Sequence, residues 1–243
     1  MNTKKWMILP YTAIMIVCFI YAGIRGSHYP GERCVLDVMC DVGYYGSRLL
    51  TPFTMLGIML FIHEDFRIGI LLRYSNIKRF LCHMIKKILL LSIVIAVVQT
   101  IMAIISSLYF TSLLCNWNQI DSYAAKMYGV ILNEKASLLG VLAWFFYVIF
   151  IQTAVISSIL CLFWWLTQTP VSGFVAVMIL LVLESMPRYG TKLFFNVVST
   201  LEINVLNGNF NILLMIIYPI VLLIMAYRCI AVVLCNCDYL RFN

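Results

Sequence analysis

The sequence predicts an all-α integral membrane protein with six transmembrane helices, both termini cytoplasmic, and a short amphipathic helix between spans two and three. Three observations predict it. Of 243 residues, 63% are hydrophobic and only 11% charged, which leaves too little polar surface for a soluble domain. Five stretches hold no Asp, Glu, Lys, Arg or His: Trp6–Ile24, Leu49–Ile62, Ile88–Ile120, Ala136–Leu183 and Ile203–Tyr227. A helix crossing the hydrocarbon needs about 20 predominantly apolar residues. Finally, the basic residues divide unevenly between the two sides of such an arrangement.

The elements follow in order. The first span, 6–24, begins at Trp6. The "YAGIRGSHY" that follows it is a poor cleavage site, so the segment reads as retained and not as a signal peptide. The second, 47–63, is short and borrows flanking residues. The third covers 88–112. The long stretch from Ala136 holds two helices, because "TQTPVSG" (Thr167–Gly173) places Pro and Gly near its centre; these are spans 138–165 and 171–187. The sixth is 211–234. Backbone polar groups in lipid must be satisfied within the chain, which makes each span a helix. With no charge-rich linker, soluble insertion or internal repeat, residues 1–243 form one domain.

With the N-terminus inside, ten Lys and Arg fall on the cytoplasmic side: Lys4, Lys5, six between Phe66 and Lys87, Arg228 and Arg241. Seven fall outside: Arg25, Arg33, Arg48, Lys126, Lys135, Arg188 and Lys192. This ratio sets the orientation. The net charge of +7 then reflects topology, and no nucleic-acid partner is expected. The outer connections are 25–48, about 115–137 and 187–210. The last is apolar (Leu193, Phe194, Phe195, Val197, Val198, Leu201) and is expected to lie on or dip into the outer leaflet. Nine cysteines show no paired zinc pattern. Cys34 and Cys40 share an outer loop and can pair where the exterior is oxidising.

The segment "FRIGILLRYSNIKRFLCHMIKK" (Phe66–Lys87) carries six basic residues and no acid. On a helix, Phe66, Ile70, Tyr74, Ile77, Leu81 and Ile85 form one apolar stripe. Ser75-Asn76 interrupts it, and either can cap a fresh helix from Ile77. The segment reads as a short helix, Phe66 to Tyr74, then a basic amphipathic helix running into span three. Taken alone it also reads as a positive-inside loop contacting lipid phosphates.

With the six-span layout around it, "HEDFRIGILLRYSNIKRFLCHMIKK" resembles the permease subunits of ABC type-2 exporters, in which an acidic residue and a basic stretch of this kind precede span three. The chain is similar to the family's small bacterial permeases of antimicrobial-peptide or bacteriocin export and immunity. The resemblance implies a coupling helix, with Phe66, Arg67, Ile70, Arg73, Tyr74, Ser75, Lys78 and Arg79 meeting a separate ATPase subunit, two copies per complex. It also implies a second permease chain, identical or related, ATP and magnesium bound in the partner and not here, and a place in the bacterial cell membrane. The cargo expected by analogy is an amphipathic peptide or lipid-like molecule.

The chain's own chemistry points away from catalysis. No Gly-Lys pair exists to build a phosphate-cradling loop. The three histidines, His28, His63 and His83, sit in loops or at span ends, and no HExxH occurs. No catalytic residue and no metal ligand is assigned. The spans lack mid-membrane ionisable residues of the kind ion-coupled carriers use. Glu184, just before Pro187, marks the water boundary or pairs with an outer base. Uncharged polar residues do lie mid-span, and Gln99, Ser106, Gln152 and Ser157, with Glu184, are candidates for a translocation path. The simpler reading makes the mid-span residues interhelical hydrogen-bonding groups. Trp164 and Trp165 read as interfacial anchors. A second class of function stays open: a non-transporting immunity or assembly protein acting by helix packing.

Overall fold

The computed structural model describes residues 3–28, 31–42, 47–63, 77–128, 138–167 and 169–185, together with residues 220, 221, 224, 227 and 228. Among them the regular structure is helical, and there is no strand. The helices are α1 (Thr3–Gly26), α2 (Val35–Asp41), α3 (Ser47–Ile62), α4 (Ile77–Phe110), α5 (Tyr123–Tyr128), α6 (Leu138–Thr167) and α7 (Pro170–Ser185). Two segments are long and apolar enough to cross a membrane, Cys82–Phe110 and Leu142–Trp164. Pro10–Arg25, Leu49–Ile62 and Pro170–Leu183 are shorter apolar helices.

The helix α4 has 34 residues, or about 51 Å at 1.5 Å per residue. That exceeds the roughly 30 Å of a hydrocarbon core. It starts at Ile77, where the interruption at Ser75-Asn76 places a new helix. The basic residues Lys78, Arg79, Lys86 and Lys87 therefore share one unbroken helix with the apolar run that follows. The turn between α6 and α7 falls within "TQTPVSG" as expected. Thr167 Oγ1 donates to the Phe163 carbonyl at 2.8 Å, and Ser172 Oγ donates to the Thr169 carbonyl at 2.9 Å. Pro170 opens α7, where its missing N–H would be unpaired in any residue.

The chain forms two compact units. The first comprises Met1–Thr51, Ala96–Ile149 and Ser199–Leu214. In it α1 packs on α2, and Tyr11 of α1 accepts a hydrogen bond from Gln99 Nε2 of α4 at 3.1 Å. Gly23 of α1 lies against Phe110, whose ring stands 2.2 Å from where a Cβ would be. Met15, Phe19, Leu36, Met39, Trp117 and Phe145 are among its large, fully buried side chains.

The second unit comprises Pro52–Ile95, Phe150–Val198 and Met215–Asn243. Its core is continuous and apolar: Met55, Ile58 and Ile62 from α3, Phe80, Met84 and Ile88 from α4, Ile156, Leu160 and Cys161 from α6, and Val177 from α7. Such interdigitation gains dispersion energy atom by atom. Gly173 lets α7 approach α6 closely, since a Cβ there would sit 2.9 Å from the Leu160 carbonyl oxygen; small residues serve this purpose in apolar helix pairs. Trp164 is buried and stands 5.6 Å from the His63 ring, centroid to centroid. The indole is core to this unit.

Candidate functional site

The densest polar arrangement among the described residues lies in the first unit, where residues 31–41 meet the segment after α4. Backbone hydrogen bonds align the two. Val35 N–H donates to Leu113 O at 2.8 Å, Glu32 N–H to Asp121 O at 3.0 Å, and Tyr123 N–H to Glu32 O at 2.8 Å. An isolated parallel bridge joins Glu32 and Ser122. Side chains reinforce the seam: Asn116 Nδ2 donates to Glu32 O at 2.9 Å, and Thr111 Oγ1 to Arg33 O at 3.1 Å. Gly31 makes the approach possible. Its φ is +115°, and a Cβ there would stand 2.8 Å from Tyr123 Cα, a conformation and a gap that glycine alone accommodates.

Two carboxylates four residues apart, Asp37 and Asp41, project from one face of α2. Both are buried. Asp37 sits at the third position of α2 and accepts the Cys34 N–H at 2.9 Å, part of a capping box. Its other oxygen accepts the Trp117 indole N–H at 2.7 Å. Asp41 pairs with Arg33 and takes a long hydrogen bond from the Tyr123 hydroxyl at 3.4 Å. The Arg33 guanidinium also donates to Gly23 O at 3.0 Å, a carbonyl in the last turn of α1 that also accepts the Ser27 N–H at 3.2 Å. It lies 5.3 Å from the Tyr123 ring centroid. Arg33 thus ties the end of α1 to the end of α2.

Burial controls the charge state. Desolvation pushes the Asp41 carboxyl up to about 6 even though Arg33 opposes it, and the neighbouring Asp37 adds to the rise. Desolvation likewise raises Asp37, against the hydrogen bonds that Cys34 and Trp117 donate to it. One cation beside two acids leaves a net negative charge when both are ionised, so the cluster favours proton uptake near neutrality. Arg33 Nε and Asn116 Oδ1 are buried without a hydrogen-bond partner in it. Beside these acids, the Cys34 and Cys115 side chains hydrogen-bond to one another.

The sequence marks this site weakly. Arg33 counts there only as a charge in an outer loop, and Asp37 and Asp41 draw no attention. Their spacing of four on a short helix, with Leu36, Val38 and Met39 between them, is the signal that could have found them. Cys34 and Cys40 are both free thiols. The α2 backbone sets their Cα atoms about 9 Å apart along its axis, beyond the reach of a disulfide. Their pairing is therefore corrected: Cys34 faces Cys115.

The other expected residues fall as follows. Phe66, Arg67, Ile70, Arg73, Tyr74 and Ser75 lie outside the described residues, as does the apolar connection after span five. Lys78 and Arg79 occupy the first turn of α4. In the first unit, Gln99 is buried against Tyr11, and Ser106 Oγ donates to Met102 O at 2.7 Å. In the second unit, Ser157 Oγ donates to Thr153 O at 2.7 Å, Gln152 is half-buried, and Glu184 is near the end of α7. Thr100, Ser107 and Ser158 follow the serine pattern, each hydroxyl bonding the carbonyl four residues back. These hydroxyls donate to carbonyls of their own helices, and Gln99 bonds across to α1. Among the described residues, no three His, Cys, Asp or Glu side chains group to hold a metal ion.

No family model, no characterised protein and no solved structure matches this chain.

Proposed function

We propose that this chain is the transmembrane subunit of an ATP-binding-cassette exporter in a bacterial cell membrane. In this reading it spans the membrane six times with both termini cytoplasmic. It pairs with a second permease chain, identical or related, to enclose a path for an amphipathic peptide or lipid-like substrate. The observation that carries the proposal is the unbroken helix from Ile77 to Phe110, which joins the basic segment to a membrane-length apolar run. A stiff rod continuing from the coupling segment can carry a displacement made at one end into the hydrocarbon. Phe66, Ile70 and Tyr74 supply a docking stripe on the preceding helix, and Arg67, Arg73, Lys78 and Arg79 suit acidic groups or helix C-termini on a partner.

ATP and magnesium belong to that partner, two copies of a nucleotide-binding subunit. Gln99, Ser106, Gln152, Ser157 and Glu184 are the candidate lining. With Gln99, Ser106 and Ser157 buried, a path along them opens only when helices move. The same burial, with hydroxyls committed to their own helices, favours the second reading of a non-transporting immunity or assembly protein. Copurification decides between them. The chain expressed with a candidate nucleotide-binding subunit retains that subunit through detergent extraction under the exporter reading, and loses it under the second. Topology is checked by Asn76→Cys on a cysteine-free background: an impermeant maleimide applied to intact cells leaves it unlabelled, and labelling from outside overturns the orientation.

A further inference from the structure

We propose that Cys34 and Cys115 are a redox pair, closing into a disulfide that joins the residue 31–41 segment to the segment after α4. The proposal goes beyond the transport reading and does not depend on it. Its geometry is direct. The two side chains are within hydrogen-bonding reach of each other. The backbones that carry them are pinned on both sides of that contact. Val35 N–H meets Leu113 O at 2.8 Å, and the Cys34 sulfur accepts the Asn116 N–H, which leaves Cys115 between two fixed points. Asn116 Nδ2 adds a bond to Glu32 O. Closing the bond therefore needs little movement of either backbone.

The two thiols differ in access, as the two steps of exchange require. Cys115 is exposed and Cys34 is buried. The hydrogen bond from Cys34 holds the Cys115 thiol below its usual range, with the Trp117 N–H acting in the same direction. Cys34 itself is pushed up, first by that hydrogen bond and then by burial and the Asp37 charge. Cys115 is thus the attacking thiolate. It attacks an incoming disulfide, small-molecule or protein, forming a mixed disulfide and releasing one thiolate. Cys34 then attacks the Cys115 sulfur of that mixed bond, expelling the second thiol, which leaves with the Cys34 proton. Two electrons pass to the incoming disulfide, and the products are one intramolecular disulfide and two reduced thiols. Cys40, on α2, stays out of the exchange.

The test uses the full chain in detergent with oxidised glutathione as the probe. After oxidation, remaining thiols are alkylated, and the protein is digested without reduction and analysed by mass spectrometry. The expected result is a peptide pair linking residues 34 and 115, about 2 Da lighter than the reduced peptides together. Cys40→Ser leaves the link intact. Cys34→Ser halts the reaction at a glutathione adduct on Cys115. Wild-type protein in which Cys34 and Cys115 are both alkylated after oxidation overturns the proposal, as does a bond from Cys34 to any other cysteine. The wild-type measurement stands whether or not the variants fold.

Discussion

Replacing Arg33 with Met tests the buried charge cluster most sharply. The Arg33 and Asp41 side chains are 11% and 10% exposed, so the pair is shielded from water and counts as buried. The substitution removes the ion pair, the 3.0 Å bond to the Gly23 carbonyl and the contact with the Tyr123 ring. What remains is a buried carboxylate whose closest charged neighbour is Asp37. Breaking one side of a buried pair costs about 3–5 kcal/mol. Read as local opening, that is a rise of roughly a hundred- to a few-thousand-fold in amide hydrogen exchange across residues 33–42.

The pH dependence carries a definite sign. The folded Asp41 carboxyl already lies above its ordinary 3.8, at about 6. A group raised in the folded state contributes stability that is full below its unfolded value and lost as pH rises through its folded value. Arg33 opposes that rise, so its removal lifts Asp41 further. The deficit of Arg33→Met is therefore largest near pH 7.5 and shrinks towards pH 5, as Asp41 takes up a proton. Replacing both partners, Arg33→Met with Asp41→Leu, recovers most of the loss, since paired apolar side chains are often as stable as a buried ion pair. Exchange across 33–42 within threefold of wild type at pH 7.5 would refute the reasoning. A deficit that grows on acidification would refute it equally.

Four further outcomes follow, three from glycine positions and one from Asp41 in the wild type. Gly31→Ala forces a side chain into φ +115° and against the Tyr123 backbone, costing about 2–4 kcal/mol; faster exchange of the Tyr123 N–H reports it. Gly173→Ala meets the Leu160 carbonyl and Cα at 2.9 and 3.0 Å, and a backbone cannot step aside, so a loss of about 1–3 kcal/mol is expected in thermal unfolding. Gly57→Ala, with nothing within 4 Å of the new carbon, is neutral or gains up to about 1 kcal/mol of helix propensity. In wild-type protein, the 31–41 segment exchanges more slowly at pH 5 than at pH 7.5 after correction for intrinsic rates, because the part of the Asp41 contribution that lies between pH 5 and its folded value of about 6, about 1.4 kcal/mol, is lost across that window.

The helices were the legible part of this chain. Composition alone separates apolar stretches from loops, and the Pro and Gly of "TQTPVSG" locate the turn between α6 and α7 to within a few residues. The basic amphipathic helix expected from Ile77, running into span three, is the single helix α4, since Lys and Arg are good helix formers and nothing from Ile77 onward stops the helix. Trp164 reads as an interfacial anchor because tryptophans at span ends often are; only the fold reveals His63 against it. The charge cluster was hidden for a different reason. Arg33 and Asp41 are near in sequence, but Trp117 and Tyr123, which complete the site, lie about 80 residues away. Cys115 as the partner of Cys34 is equally remote. Periodicity reports which face is apolar, and says nothing of which distant loop will cover a buried acid.

The coupling segment offers the most direct test of the transport reading. In the exporter reading Ile70 belongs to the docking stripe of that segment, and Ile70→Asp would place an unpaired charge at its contact with an ATPase subunit. A desolvated, unpaired charge there weakens assembly by roughly 2–5 kcal/mol, whereas a segment that merely touches lipid headgroups loses only about 1 kcal/mol of surface attraction. The measurement is ATPase subunit retained per permease chain after purification, together with ATP hydrolysis by the retained complex, for wild type and Ile70→Asp side by side. The exporter reading predicts that the wild type holds the subunit and stimulates hydrolysis, while Ile70→Asp inserts normally and loses both. A variant that retains the subunit and hydrolyses ATP at the wild-type rate contradicts it.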